Sequence, residues 1–145
     1  MARQVLQRLR ALAPGAVEMV YDNYNALVVG FGPSERVSEA IFSLALYPRW
    51  INLFFLQAFA LDAPFGLLQG EGIAIKHIRL LDASAIDRPE VLALIRQALD
   101  RASKPINPTS KPRLVIKSIS AKQRPRRPAE PAQHEAAKSA HAGLP

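Results

Sequence analysis

The residues with the clearest chemical potential lie in the stretch "GEGIAIKHIR", residues 70–79. Two glycines one residue apart precede Lys76, His77 and Arg79. A glycine-rich loop that holds phosphate needs a helix N-terminus after it, because the free N–H groups there bind the anion. Here apolar and polar residues alternate after the glycines, which is typical of a strand. We therefore interpret the glycines as a turn or bulge, with an anion-binding loop as the alternative.

Lys76, His77 and Arg79 are candidate ligand-binding residues, and His77 is the only histidine in the first 100 residues. Together they could bind an acidic ligand, and a solvated strand face is the alternative. His77 with Glu71 or Asp62 could also form an acid–base set, so a small-molecule enzyme is one alternative function. The sequence lacks a nucleophile elbow, paired metal-ligand histidines and a Walker loop. We therefore assign no catalytic residue, and we expect no metal and no cofactor.

Tyr47, Arg49 and Trp50 form a second candidate group in "YPRW", residues 47–50. An exposed tryptophan beside an arginine is typical of binding surfaces. The alternative is a tryptophan that packs over the sheet edge. A proline at the second position of a tight turn, between two apolar runs, predicts a β-hairpin here.

The C-terminal region holds a compact basic cluster in "KQRPRRP", made of Lys122, Arg124, Arg126 and Arg127. Such clusters bind phosphate backbones without reading the base sequence. Residues 101–145 contain no Phe, Tyr or Trp on which a base could stack. We predict weak, non-specific contact with nucleic acid or another polyanion, and a solvated tail that aids solubility is the alternative. The partner is otherwise unknown.

Charge and composition divide the chain near residue 103. Residues 1–100 carry nine Lys and Arg against ten Asp and Glu, whereas residues 101–145 carry ten against two. The second part is also rich in Pro, Ser and Ala, and it cannot bury enough apolar surface to offset the entropy of ordering. We therefore predict one domain over residues 1–103 and a mostly disordered basic tail over residues 104–145. Residues 113–120 are apolar enough for a short docked strand.

The chain has no cysteine, which excludes disulfides, thiolate metal sites and cysteine nucleophiles. No apolar run is long enough to span a bilayer, so we expect no membrane contact. The arginine-bearing, acid-free start is similar to a transit peptide, but its apolar spacing favours a docked helix. We expect a cytoplasmic protein.

The order of the elements predicts how these groups are positioned. Helical spacing covers residues 2–12 and 89–102, and Asp87 with Glu90 has capping-box spacing. Strands are predicted at 26–32, 40–46, 51–56 and 73–80, where the second one also fits a helix but precedes the turn. The fold class is α+β, an antiparallel sheet of four to five strands with both terminal helices on one face and a disordered basic C-terminal tail. His77 and Arg79 should lie on the opposite face.

Four stretches together resemble the YdhG-like domain family, a family of unknown function: "YDNYNALVVGFGP", "AIFSLALYPRWINLFFL", "LLQGEGIAIKHIRL" and "DRPEVLALI". The resemblance covers about residues 15–102. It implies an antiparallel sheet with helices on one side, and a small binding or accessory domain.

Some members of that family are described as frataxin-like iron chaperones, so the resemblance also implies iron handling as an alternative function. Iron binding of that kind relies on carboxylates along the first helix, and hard cations require oxygen ligands. The predicted first helix has Arg3, Arg8 and Arg10 and no acidic residue. The resemblance therefore supports the fold more than it supports a metal function.

Overall fold

The computed structural model describes residues 1–23 and 25–119. The helices and strands, in chain order, are α1 (Ala2–Leu12), β1 (Val17–Asp22), β2 (Leu27–Gly32), β3 (Phe42–Leu46), β4 (Ile51–Phe55), β5 (Lys76–Leu80), α2 (Pro89–Asp100) and β6 (Arg113–Ile119). Short 3-10 turns cover Val37–Glu39, Ala58–Ala60 and Ala83–Asp87. The protein is α+β, as the sequence predicts.

The six strands form one sheet in the order β5-β4-β3-β2-β1-β6. Neighbours from β5 to β1 are antiparallel, whereas β6 lies parallel to β1, with Val17 opposite Arg113. The sheet is therefore larger than the predicted four to five strands, and it is mixed. The difference arises because β6 pairs in parallel with β1 across about 96 residues, and such a distant pairing leaves no local signal that would assign residues 113–120 to the sheet.

One face of the sheet packs against both helices. Its buried core consists mainly of Val29, Phe31, Phe42, Leu44, Leu53, Phe55, Ile78 and Leu80 from the strands and of Val5, Leu9, Val91, Leu94 and Ile95 from the helices. This side of the sheet is called the helix face. Every second residue of a strand points to it, because successive side chains of a strand point to opposite sides. Each fully buried large side chain stabilises the fold by roughly 1.5–3 kcal/mol.

The hairpin between β3 and β4 forms where the proline turn predicts it. The N–H of Tyr47 donates to the carbonyl of Trp50 at 3.0 Å and closes the turn. Strand β5 is shorter than predicted and begins at Lys76, because the chain loops out before it. Gly70 has a φ of 115° at the start of that loop, and the Ile73 side chain is 79% exposed.

The predicted capping box at α2 does not form. Asp87 ends a 3-10 turn, and Arg88 is the residue that caps the helix, without a side-chain hydrogen bond. The carboxylate of Asp87 instead accepts a hydrogen bond from Arg8 at 2.6 Å. It therefore ties α1 to the start of α2, and Pro89 occupies the first helical position, where no N–H is needed.

Beyond α2 the chain passes the turn between α1 and β1 before it enters β6. The Ile106 side chain packs against the core, and the carbonyl oxygen of Asn107 lies against Gly15. The folded sheet thus extends past residue 103, through the segment predicted as a short docked strand.

Residues 120–145, and with them Lys122, Arg124, Arg126 and Arg127, lie outside the described residues. None of the helices in the described part of the chain is long and apolar enough to cross a membrane.

Two glycines with similar φ values test the docking of the segment around Asn107. Gly15 has a φ of 83°, and a Cβ there would lie 2.1 Å from the Asn107 carbonyl oxygen. Gly66 has a φ of 81° and no atom within 4 Å of that position. We expect Gly66→Ala to lower the free energy of unfolding by about 1–2 kcal/mol, the cost of a left-handed residue with a side chain.

Gly15→Ala should cost clearly more, about 3 kcal/mol or above, because the carbonyl must move as well as the backbone. Urea unfolding of both variants gives the comparison. Equal losses in the two variants would show that the segment around Asn107 does not dock against the turn before β1.

Candidate functional site

The side of the sheet away from the helices, called the far face, carries a mixture of polar, aromatic and small residues. Two cross-strand rows define it, namely Tyr21–Val28–Ala45–Asn52–Arg79 and Met19–Gly30–Ser43–Phe54–His77. No residue of α1 or α2 belongs to its buried clusters. The register therefore places His77 and Arg79 on the face that the sequence predicts.

Small residues form the centre of the far face, and large ones flank it. Gly30, Ser43 and Ala45 lie in the middle strands, and the Ser43 and Ala45 side chains are fully buried. The side chains of Tyr21 and Tyr47 pack against this part of the sheet. The far face thus has small side chains at its centre and larger amphipathic side chains packed around them.

Four polar atoms on or beside the far face are buried and have no hydrogen-bond partner within residues 1–23 and 25–119. They are the hydroxyl oxygens of Tyr21 and Ser43, the indole Nε1 of Trp50 and the Oδ1 of Asn52. Ser43 is 0% exposed and Asn52 is 7% exposed. A buried polar atom without a partner costs about 1–3 kcal/mol, so four on one surface require an explanation.

Tyr47, Trp50 and Arg79 stack at one end of the far face. The Arg79 guanidinium carbon lies 4.4 Å from the centroid of the Trp50 ring, and the Tyr47 ring centroid is 5.5 Å from that of Trp50. A guanidinium stacked on an aromatic ring keeps its N–H donors in its own plane, where they can reach a second group. Burial raises the pKa of the Tyr47 hydroxyl, and the Arg79 charge partly opposes this.

The remaining predicted ligand residues are placed apart from one another. Lys76 shares its row with Phe55 on the helix face, and its Nζ donates to the Gly70 carbonyl at 3.0 Å. The His77 ring lies on the far face, with its centroid 5.2 Å from that of Phe54. Arg49 is exposed in the hairpin turn. The structure therefore joins Arg79 to Trp50 and Tyr47 rather than to Lys76.

The charges around the far face are unbalanced. Its two strand rows contain no carboxylate, because the strand acids Glu18 and Asp22 point to the other side. Glu18 accepts two hydrogen bonds from Arg10, at 2.7 and 2.9 Å. In the part of the chain that the structure describes, Arg79 belongs to no ion pair. The far face therefore presents a positive charge that has no counterion in the described part of the chain.

The acidic residues do not assemble elsewhere in the described chain. Within residues 1–23 and 25–119 there is no group of three or more His, Asp or Glu side chains that could hold a metal ion. Asp62, one candidate for an acid–base set with His77, pairs instead with Arg101 at 3.0 Å.

The fold and the far face define a small α+β domain with a six-stranded mixed sheet, one side of which is free of α-helices among the described residues. No family model, curated protein or solved structure matches the chain. Membership of the YdhG-like family stays a prediction from the sequence.

Sequence reasoning missed the buried polar residues of the far face. Ser43 and Asn52 interrupt two strongly apolar runs, "IFSLAL" and "INLFFL". A polar residue inside such a run is the available signal, since burial makes a polar side chain costly unless something pairs with it. The signal does not show that the two residues share a face with Tyr21 and Trp50, because that depends on strand register.

Removing the Ser43 hydroxyl should stabilise the protein, which is the opposite of the usual effect of a buried serine. We expect Ser43→Ala to raise the free energy of unfolding by about 1 kcal/mol, because the hydroxyl is buried without a partner. Ser34→Ala is the control. The Ser34 hydroxyl donates to Glu39 at 2.8 Å and accepts from the N–H of Arg36 at 3.1 Å.

The Ser34 variant should lose about 0.5–1.5 kcal/mol with its hydrogen bonds. Denaturant unfolding measures both. A loss of stability in Ser43→Ala would mean that its hydroxyl is satisfied in solution.

The ionisation of Tyr47 reports on the stack with Arg79. Burial raises its pKa and the Arg79 charge lowers it, so Arg79→Met should raise the pKa further. Ultraviolet titration of the phenolates, with Tyr47→Phe to assign the signal, measures the change. The folded state holds the Tyr47 proton more tightly than the unfolded state, so stability should fall as pH rises above the unfolded pKa of about 10. An unchanged pKa in Arg79→Met would place Arg79 away from Tyr47.

Proposed function

We propose that the protein is a small-molecule-binding accessory domain of the YdhG-like kind whose far face receives a polar ligand. The observation that carries the proposal is the set of four buried, unpaired polar atoms on that face, contributed by Tyr21, Ser43, Trp50 and Asn52. A cytoplasmic location belongs to the same proposal, and the absence of cysteine supports it.

The unpaired polar atoms of the far face lower the stability of the fold. Each unpaired buried group costs about 1–3 kcal/mol, and a ligand that pairs with several of them removes that cost when it binds. Natural proteins tolerate such costs at sites where function requires them, while the rest of the fold compensates. The helix-face core, with its long series of fully buried side chains, is the compensation here.

The composition of the far face suits a small organic molecule. Ligand sites are mostly apolar and aromatic, with a few polar groups that fix orientation. Phe54, Tyr21 and Tyr47 supply the apolar surface, and Ser43 and Asn52 supply hydrogen-bonding groups on rigid strands. Residues on strands hold their side chains in place more firmly than residues on loops do.

Ligand entry requires the flanking side chains to move. The Ser43 and Asn52 atoms are covered in the structure, and Tyr21, Tyr47 and Trp50 are the half-buried side chains beside them. Rotation of an aromatic side chain at a surface opens such a site without backbone movement, and a ligand then selects the open state.

The described residues offer no observation that favours iron handling or catalysis over ligand binding. The first helix carries arginines and no acid in its first turn. The predicted contact of the basic tail with a polyanion concerns residues that the structure does not describe, and it stays a prediction.

The single tryptophan makes the test direct, because Trp50 gives the only indole N–H signal of the protein in a proton–nitrogen correlation spectrum. We expect a screen of small polar aromatic molecules against the full chain to shift the Trp50 indole signal. The backbone amides of β3 and β4 should shift with it. Compounds that shift only loop amides would contradict the proposed site.

Gly30→Ala provides a variant that fills the floor of the site. A Cβ there would lie 3.8 Å from the nearest atoms of Met19, an ordinary contact, and Gly30 pairs with Ser43. The variant should gain about 0.5–1 kcal/mol of stability, because alanine loses less entropy than glycine in a strand. It should also weaken any ligand that shifts the Trp50 signal, by roughly tenfold. If the variant is more stable but its affinity for the ligand is unchanged, Gly30 does not line the binding site.

A further inference from the structure

We infer that the ligand of the far face is a small organic carboxylate that carries a hydroxyl or amino group next to its acid group. In this assignment Arg79 and the Trp50 indole N–H bind the carboxylate, and Asn52 Oδ1 accepts a hydrogen bond from the neighbouring donor. The inference rests on the function proposed above, and it specifies what that site recognises.

The sign of the ligand charge follows from the surroundings of Arg79. The strand rows of the far face hold no carboxylate, and Arg79 makes no ion pair with the described residues. Its guanidinium stacks on Trp50 and keeps its N–H fork available. That fork matches the two oxygens of a carboxylate, and charge-assisted pairs of this kind are among the strongest hydrogen bonds in proteins.

The unpaired atoms next to Arg79 require a ligand that both accepts and donates. The indole Nε1 of Trp50 is only a donor, and the Oδ1 of Asn52 is only an acceptor. A bare carboxylate satisfies the first and repels the second. A hydroxyl or amino group beside the carboxylate satisfies both atoms with one molecule.

The spacing of the three residues suits a molecule of a few carbon atoms. Asn52 and Arg79 are direct cross-strand partners, so their Cβ atoms are about 4.5–5.5 Å apart. Trp50 lies two residues before Asn52, just outside β4, and its ring stacks on Arg79 on the same side of the sheet. The three side chains are therefore near enough to one another for one small molecule to contact them all.

The aromatic side chains indicate an apolar body on the ligand. Phe54 and Tyr47 pack on the same cluster of the far face, next to the row that holds Asn52. Planar or branched apolar groups stack well on such rings. Phosphate fits less well, because it spreads two charges over three or four oxygens and the stack offers one unpaired cation.

Four commercially available probes separate these features, and Trp50 fluorescence reports on each of them. Mandelate has a carboxylate, an adjacent hydroxyl and an aromatic ring. Mandelamide lacks the charge, phenylacetate lacks the hydroxyl, and inorganic phosphate lacks the apolar body. We expect mandelate to bind most tightly, with mandelamide and phenylacetate each roughly tenfold weaker.

Two arginine variants test the charge. Arg79→Met keeps an apolar stem over the Trp50 ring and removes the cation, so mandelate should bind at least tenfold more weakly while mandelamide is unaffected. Arg79→Lys should restore part of the loss, since a lysine provides the charge without the fork. Arg96→Met is the matched control, because Arg96 is exposed on α2 and its replacement changes the net charge by the same amount.

Asn52→Leu tests the donor contact separately. The Asn52 Oδ1 has no partner in the described protein, so a leucine of similar size should preserve the fold. The preference for mandelate over phenylacetate should then disappear, while phenylacetate keeps its affinity. Melting temperatures of all variants check that folding is retained.

The outcomes distinguish this inference from the proposed function. Equal affinity for mandelate and mandelamide, or an Arg79→Met variant that binds mandelate normally, would overturn the carboxylate assignment and leave a far-face site for neutral ligands. If phosphate competes with mandelate at equal concentration, the assignment of an organic acid is wrong and the ligand is a phosphate. If no probe and no compound of the wider screen shifts the Trp50 indole signal, both the inference and the proposed function fail.

Discussion

The burial of one sheet face beneath α1 and α2 is the constraint on which the other features depend. Side chains alternate along a strand, so a one-residue slip would move Phe31, Leu44 or Leu53 from the core to the other side. The cost of exposing such side chains therefore holds each strand in register. The same register decides which residues emerge on the far face, including polar ones that no core position could accept.

The far face consequently combines rigidity with local instability. Ser43 and Asn52 sit on central strands whose backbone is held by neighbours on both sides, yet their polar atoms have no partner. A ligand that pairs with these atoms makes hydrogen bonds that the described residues do not make among themselves. The stability of the helix-face core compensates for polar atoms on the far face that make no hydrogen bond with the described residues. This difference between the two faces is the basis for proposing a ligand site on the far face.

The edges of the sheet are secured by different means. The hairpin that ends in β4 leads to β5 at one edge, and β6 covers β1 at the other. The carboxylate of Glu35, in the connection after β2, pairs with Arg113 at 3.0 Å. The backbone carbonyl of Glu35 accepts a hydrogen bond from the Lys117 Nζ at 3.2 Å. The turn at Gly15 lets the segment before β6 pass close to the end of α1, because a side chain there would occupy the place of the Asn107 carbonyl.

Local sequence was sufficient for the helices, the hairpin and the α+β class, because hydrophobic period, proline position and turn chemistry act over a few residues. It also predicted that His77 and Arg79 oppose Ile78 and Leu80. It did not predict β6 as part of a mixed sheet, because parallel pairing joins residues about 96 positions apart. The stack of Arg79 on Trp50 and the common face of Tyr21, Ser43 and Asn52 were decided by tertiary structure alone, since only strand pairing brings residues of four different strands together.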